Sequence, residues 1–165
     1  YPRGVNGRSK FFEKIANFGC FGRRKMKRHQ SSETHLGKVP DVAMNVGKVS
    51  QVVTNLLINA GQAIESTGKN GKITITTCTA GKFVELRVED TGCGIPSSHL
   101  DKLFNPFFTT KPEGQGTGLG LSISFGIAQE HGGTLSATSK EGEGSIFTLA
   151  LPLVSHSDKT LESEG

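Results

Sequence analysis

Tryptophan is absent from this 165-residue chain, cysteine occurs only three times, and no long hydrophobic run interrupts it. Each shortage narrows the field. Cys20, Cys78 and Cys93 are odd in number and form no C-x-x-C pair, which argues against a zinc knuckle or a disulfide framework and for a reducing compartment. No stretch approaches the roughly 18 apolar residues that a membrane-crossing helix needs. The start shows no charged-then-apolar signal pattern. The expectation is a soluble, cytoplasmic chain, or a soluble piece of a longer protein that is itself membrane-anchored or not. Hydrophobic content is a modest 34%, whereas glycine is plentiful at 22 residues. The length suits one ordinary domain with tails and is too short for two sizeable cores. With clustered glycines and no tryptophan, a loop-rich α/β domain fits better than a packed helical bundle.

The net charge of +4 conceals an asymmetry. Residues 1–30 hold nine Lys or Arg against the single acid Glu13, leaving ten basic and fourteen acidic residues in the remainder. Residues 1–35 have no sustained period and include the run Arg23-Arg24-Lys25-Met26-Lys27-Arg28, so they read as a basic, weakly structured arm. Phe11, Phe12, Ile15 and Phe18 within it allow one or two helical turns. Charge without a recognition fold gives only salt-sensitive attraction, and no specific nucleic-acid partner is expected. Residues 154–165 form a polar tail, which leaves 36–153 as the domain.

Within that domain Val49, Val52, Val53, Leu56, Leu57, Ala60 and Ile64 recur at spacings of three and four, predicting an amphipathic helix from Val46 to Ile64. Two alternating runs, 72–78 and 83–89, predict a strand pair joined at Ala80-Gly81. A short helix over 97–103 follows Pro96 as a start signal. A further helix over 119–131 is stopped by Gly132-Gly133, and two strands, 134–139 and 145–151, close the domain around the turn Glu141-Gly-Glu-Gly144. The order favours a mixed sheet covered by helices on one face.

Four blocks in fixed order carry the chemistry. In Asn55-Leu-Leu-Ile-Asn59-Ala60 two amides lie one helical turn apart, poor bases but suitable oxygen ligands for Mg²⁺, with Asn59 the better candidate; a buried Asn pair that cross-links a core has the same sequence. In Asp90-Thr-Gly92-Cys-Gly94 a carboxylate at a strand end is placed to accept a hydrogen bond from the exocyclic amine of adenine, where guanine presents a carbonyl. An ordinary Asp-x-Gly turn reads identically. Phe104-Asn-Pro-Phe107-Phe108-Thr-Thr-Lys111 combines anchoring aromatics with a lysine able to reach a terminal phosphate, and Glu113-Gly114-Gln115 follow as a flap tip. Gly116-Thr117-Gly118-Leu119-Gly120 opens a helix, where backbone N–H groups favour phosphate. It follows no Rossmann strand, and no G-x-x-x-x-G-K-[ST] is present, so dinucleotide and Walker-type readings lose support.

These blocks resemble the N, G1, F and G2 boxes of the catalytic, ATP-binding domain of sensor histidine kinases, within the group that includes gyrase B, the heat-shock 90 chaperones and MutL proteins. The wording Asn-Leu-Leu-Ile-Asn-Ala-Gly-Gln-Ala-Ile and Asn-Pro-Phe-Phe-Thr-Thr-Lys is most similar to the nitrogen-regulator branch. The resemblance runs from about Leu36 to Leu153. It implies a two-layer α/β sandwich of the Bergerat type, with a mixed, mainly antiparallel sheet. It implies ATP and Mg²⁺ as ligands, with Asn59, and Asn55 beside it, on the metal, Asp90, Gly92 and Gly94 at the base, and Ile95 and Phe107 also in the ATP site. Lys111, Gly116, Thr117, Gly118, Leu119 and Gly120 would then surround the phosphates. Asn55 stands where the hydrolysing relatives carry a catalytic Glu, which with Lys111 implies phosphoryl transfer rather than hydrolysis. The acceptor motif of such kinases, His-Glu-x-x-Asn-Pro on a dimerising hairpin, is missing from this sequence. A separate hairpin domain and a downstream response regulator are therefore the implied partners. An anti-sigma-type serine kinase and a non-catalytic ATP-binding module are the alternatives.

Overall fold

The computed structural model describes residues 11, 30–40, 42–111 and 116–153. Five strands form one sheet: β1 (Gln30–Leu36), β2 (Gly71–Ala80), β3 (Phe83–Asp90), β4 (Thr134–Lys140) and β5 (Gly144–Pro152). Their spatial order is β1-β2-β3-β5-β4, with β1 parallel to β2 and every other pair antiparallel. Among the described residues from Gln30 onward, the helices that accompany it are α1 (Val46–Glu65), α2 (Ser97–Leu100) and α3 (Gly120–Glu130). This is the mixed sheet with helices on one face that the sequence predicts.

α1 begins where Asn45 accepts a hydrogen bond from the Lys48 amide, 3.0 Å, satisfying one of the unpaired donors of the first turn. Its buried stripe is Val49, Val52, Val53, Leu56, Ala60 and Ile64, close to the predicted set, with Leu57 only partly covered. This stripe meets alternate residues of the sheet: Ile73, Ile75 and Thr77 of β2, Val84, Leu86 and Val88 of β3, and Phe147, Leu149 and Leu151 of β5. Alternation follows from the two-residue period of a strand, which sends every second side chain to the helix side. Leu56 is fully enclosed, so Leu56→Ala is expected to cost about 3 kcal/mol through lost burial and the cavity left behind, read as a lowered denaturant midpoint.

Two expectations need correction. Residues 30–35, assigned to the basic, weakly structured arm, form most of β1, in register with β2 from Gln30 opposite Gly71 to Leu36 opposite Thr77. The segment Gln-Ser-Ser-Glu-Thr-His-Leu has almost no apolar residues, so its strand character comes from ladder hydrogen bonds to β2, which no hydropathy pattern reports. Gln30 also donates from Nε2 to the Gly61 carbonyl of α1, 2.8 Å. The short helix ends at Leu100 rather than Leu103, and residues 101–107 continue as turns. Phe11 is buried in the core, while the rest of the predicted helical turns, the basic run, the flap tip 112–115 and the tail 154–165 lie outside the described residues. No helix among the described residues is long and apolar enough to cross a membrane.

Candidate functional site

One cleft of about 1020 Å³ opens between α1, the β3 end and the loops that follow it. It receives residues from all four sequence blocks: Asn55 and Asn59, then Asp90, Gly94 and Ile95, then Lys111, then Gly116, Thr117, Gly118 and Gly120. The topology explains the meeting. β3 delivers Asp90 to its carboxyl end, the next turn is tied to α1 by the Cys93 N–H donating to the Ala63 carbonyl at 3.1 Å, and α3 starts at Gly120 against Asn55.

Asp90 is 4% exposed. One of its carboxylate oxygens accepts the Gly92 N–H at 2.8 Å, and the Ser145 backbone N–H supplies a second bond. Burial nonetheless dominates and pushes its pKa up to about 6; the two N–H bonds oppose the shift and the neighbouring Glu89 charge adds to it. A carboxylate held this way can direct a free lone pair into the cleft. Ile95 beside it is fixed by its N–H donating to Ser139 Oγ, 2.8 Å.

On α1, Asn55 donates from Nδ2 to Ser124 Oγ of α3 at 3.1 Å. Its amide also explains Gly120: a Cβ there would sit 2.4 Å from Asn55 Oδ1, so the first turn of α3 reaches this depth only without a side chain. That brings the N–H groups of the α3 start to the cleft wall, an arrangement that favours anions. Lys111 donates from Nζ to Gln62 Oε1 across the cleft, and desolvation lowers its pKa. The aromatic anchors divide the work. Phe104 stacks on Phe125 of α3, with centroids 5.1 Å apart, and Phe108 lines the cleft with its ring edge-on to His99, 5.6 Å.

Three predicted base or phosphate residues do not line the cleft. Gly92 lies behind it and acts through its N–H on Asp90. Phe107 is 75% exposed in a left-handed conformation, φ 66°, because its N–H donates to the Gly118 carbonyl at 2.9 Å and this backbone clasp turns the ring outward; Phe108 takes the expected place. Leu119 is set back, its N–H donating to Thr117 Oγ1 at 3.3 Å. Conversely, Gln62 and His99 line the cleft without having been singled out, as does Phe108, expected only as an anchoring aromatic. Gln62 had a legible signal, standing three residues after Asn59 and seven after Asn55 on one helix face.

The donor set fits Mg²⁺ shared with phosphates. Among the described residues no three His, Cys, Asp or Glu gather to hold a metal, whereas the Asn59 amide lines the same cleft as the α3 start. A hard ion there would take an amide oxygen and phosphate oxygens.

The pattern of the family described as histidine kinase-, DNA gyrase B- and HSP90-like ATPase matches residues 44–155. Sensor histidine kinase ZraS of Escherichia coli (strain K12) is 44% identical over 115 residues, covering 70% of this chain and 24% of that protein. Sensor kinase CckA of Brucella abortus (strain 2308) is 40% identical over 126 residues, 67% of this chain and 13% of that protein. The chain thus spans a quarter or less of these relatives. The solved catalytic domain of histidine kinase ThkA, in a nucleotide-free form, superposes with a TM-score of 0.69 at 34% identity, covering 87% of this chain and 90% of that one. Sequence and fold agree over the segment that carries the cleft: the chain belongs to the histidine kinase-, gyrase B- and HSP90-like ATPases, on the histidine kinase side of that family.

Proposed function

We propose that this chain is the ATP-binding, phosphoryl-donating domain of a two-component sensor kinase, acting on a histidine carried by a separate helical hairpin and feeding a response regulator. The observation that carries it is the convergence of all four blocks on one cleft, with the buried Asp90 carboxylate and the open α3 start both on its wall. Asp90 accepts from the adenine amine, Ile95 packs on the base, and Phe108 takes the role first given to Phe107. Gly116, Thr117, Gly118 and Gly120 present backbone to the phosphates, and Lys111 neutralises the terminal one. Mg²⁺, held by Asn59 with Asn55 beside it, would supply charge neutralisation between phosphates.

Transfer rather than hydrolysis follows from Asn55. Its amide is bonded to Ser124 and takes no proton at neutral pH, so an attacking water has no base at that position. An imidazole brings its own nucleophilic nitrogen: a phosphorus–nitrogen bond forms as the bond to the bridging oxygen breaks, and ADP leaves. The wording of the first and third blocks supports the nitrogen-regulator branch.

The test supplies radiolabelled ATP and Mg²⁺ to the chain together with hairpin domains from related kinases. Acid-labile label on a hairpin histidine is expected. Acid-stable label on a partner serine would favour the serine kinase reading instead, and nucleotide-dependent binding without any label in any pairing would reduce the chain to an interaction module.

A further inference from the structure

The cleft face of α1 carries a polar stripe, Asn55, Asn59 and Gln62, at spacings of four and three residues. The functional reading uses the two asparagines and leaves Gln62 idle. Gln62 is exposed toward the cleft, and its side-chain carbonyl accepts a hydrogen bond from Lys111 Nζ. Lys111 is braced on its other side as well: a Cβ on Gly116 would lie 3.0 Å from Lys111 Cδ and 3.3 Å from its Cβ, so the lysine stem runs against bare glycine backbone. Its own N–H donates to Thr109 Oγ1 at 3.2 Å.

We propose that Gln62 is a positioning residue for Lys111, holding the ammonium at the phosphate end of the cleft. This rests on the reading of Lys111 as the cation for the terminal phosphate. A lysine has a long flexible stem and three equivalent donors, so an unheld one spreads its charge over many rotamers. Gln62 occupies one donor and leaves two for a phosphate. Its neutrality matters, because a carboxylate in that place would compete with the phosphate for the lysine and repel the phosphate itself. An amide oxygen orients the charge without cancelling it. Gln62 acts through Lys111, so its effect belongs to the nucleotide that carries the third phosphate.

Calorimetric titration of ATP and ADP, each with Mg²⁺, into the wild-type chain, Gln62→Leu, Lys111→Met and the double variant tests this. Gln62→Leu keeps the volume and removes the acceptor on an exposed helix position, leaving the core untouched. The expected result is ATP binding weakened about 5-fold with ADP changed less than about 2-fold, and a double variant no weaker for ATP than Lys111→Met alone. An unchanged ratio of ATP to ADP affinity in Gln62→Leu, or a loss that adds in full to that of Lys111→Met, would overturn the positioning role while leaving the nucleotide site standing. Absence of ADP binding by the wild type would overturn the functional reading, and the role of Gln62 with it.

Discussion

Replacing Asp90 by asparagine is expected to weaken ATP binding about 100-fold or more while raising the melting temperature of the free domain. The two effects share one cause. The substituted side chain would keep one oxygen and gain an NH₂, and the group meets demands from both sides: the Gly92 and Ser145 N–H groups from the protein and, in the proposed function, the adenine amine from the cleft. All are donors. Whichever way the new amide turns, its own NH₂ faces one of them, so the base contact or the turn is lost. Stability moves the other way, because the folded pKa of about 6 lies above the ordinary 3.8. The protonated group's contribution is present below about pH 4 and is lost as pH rises to about 6, leaving the ionised, buried Asp90 costing about 3 kcal/mol at neutral pH. An asparagine carries no charge to bury, and after the lost Ser145 bond about 1 to 2 kcal/mol should remain as a gain. Calorimetric unfolding of both proteins at pH 4.5 and 7.5 checks this: the advantage of the variant should appear at the higher pH and shrink at the lower. An equal difference at both would mean that folding does not shift the Asp90 pKa, and that burial exacts no charge penalty there. ATP affinity of the wild type should also fall as pH drops below about 6, since the adenine amine needs the ionised acceptor, and Asp90→Asn should lack that dependence.

Gly144→Ala is the substitution expected to damage the fold most. Gly144 opens β5 with φ 121°, a conformation essentially confined to glycine, and a Cβ there would lie 2.0 Å from the Asp90 carbonyl oxygen and 3.0 Å from its carbon. Backbone cannot swing aside as a side chain can. Either β5 retreats from β3 at the pair Asp90–Ser145, or the β4–β5 turn opens and Ser139 Oγ loses the Gly144 carbonyl at 2.7 Å. About 3 to 4 kcal/mol is expected, a fall of roughly 10 °C or more in melting temperature for a domain of this size. Gly142→Ala is the control. It too has positive φ, 80°, yet nothing lies within 4 Å of its Cβ, so it should cost only about 1 kcal/mol. Equal melting temperatures for the two variants would show that conformation alone, and not the approach to Asp90, sets the cost.

The parts legible in the sequence are those governed by local period or by glycine placement. α1 declared itself through its stripe, β2 and β3 through alternation, β4 and β5 around the Glu141–Gly144 turn, and the four blocks through residue type and order. β1 escaped because its pairing with β2 is made by backbone, and the polar residues between Gln30 and Leu36 leave no hydrophobic trace. The exchange of Phe107 for Phe108 was equally hidden. A single left-handed residue decides which ring faces the cleft, and that conformation depends on Gly118, eleven residues away. Gln62 was within reach of the helical period, but only Lys111 coming across the cleft gives it a task.

The bond from Gln30 to the Gly61 carbonyl also has a mechanical meaning. β1 is the point at which the covalent chain enters the sheet from residues 1–29, and Gly61 sits on α1 between Asn59 and Gln62. One side chain therefore ties the entry strand, like a guy line, to the turn of helix that carries Asn59 and Gln62 on the cleft wall.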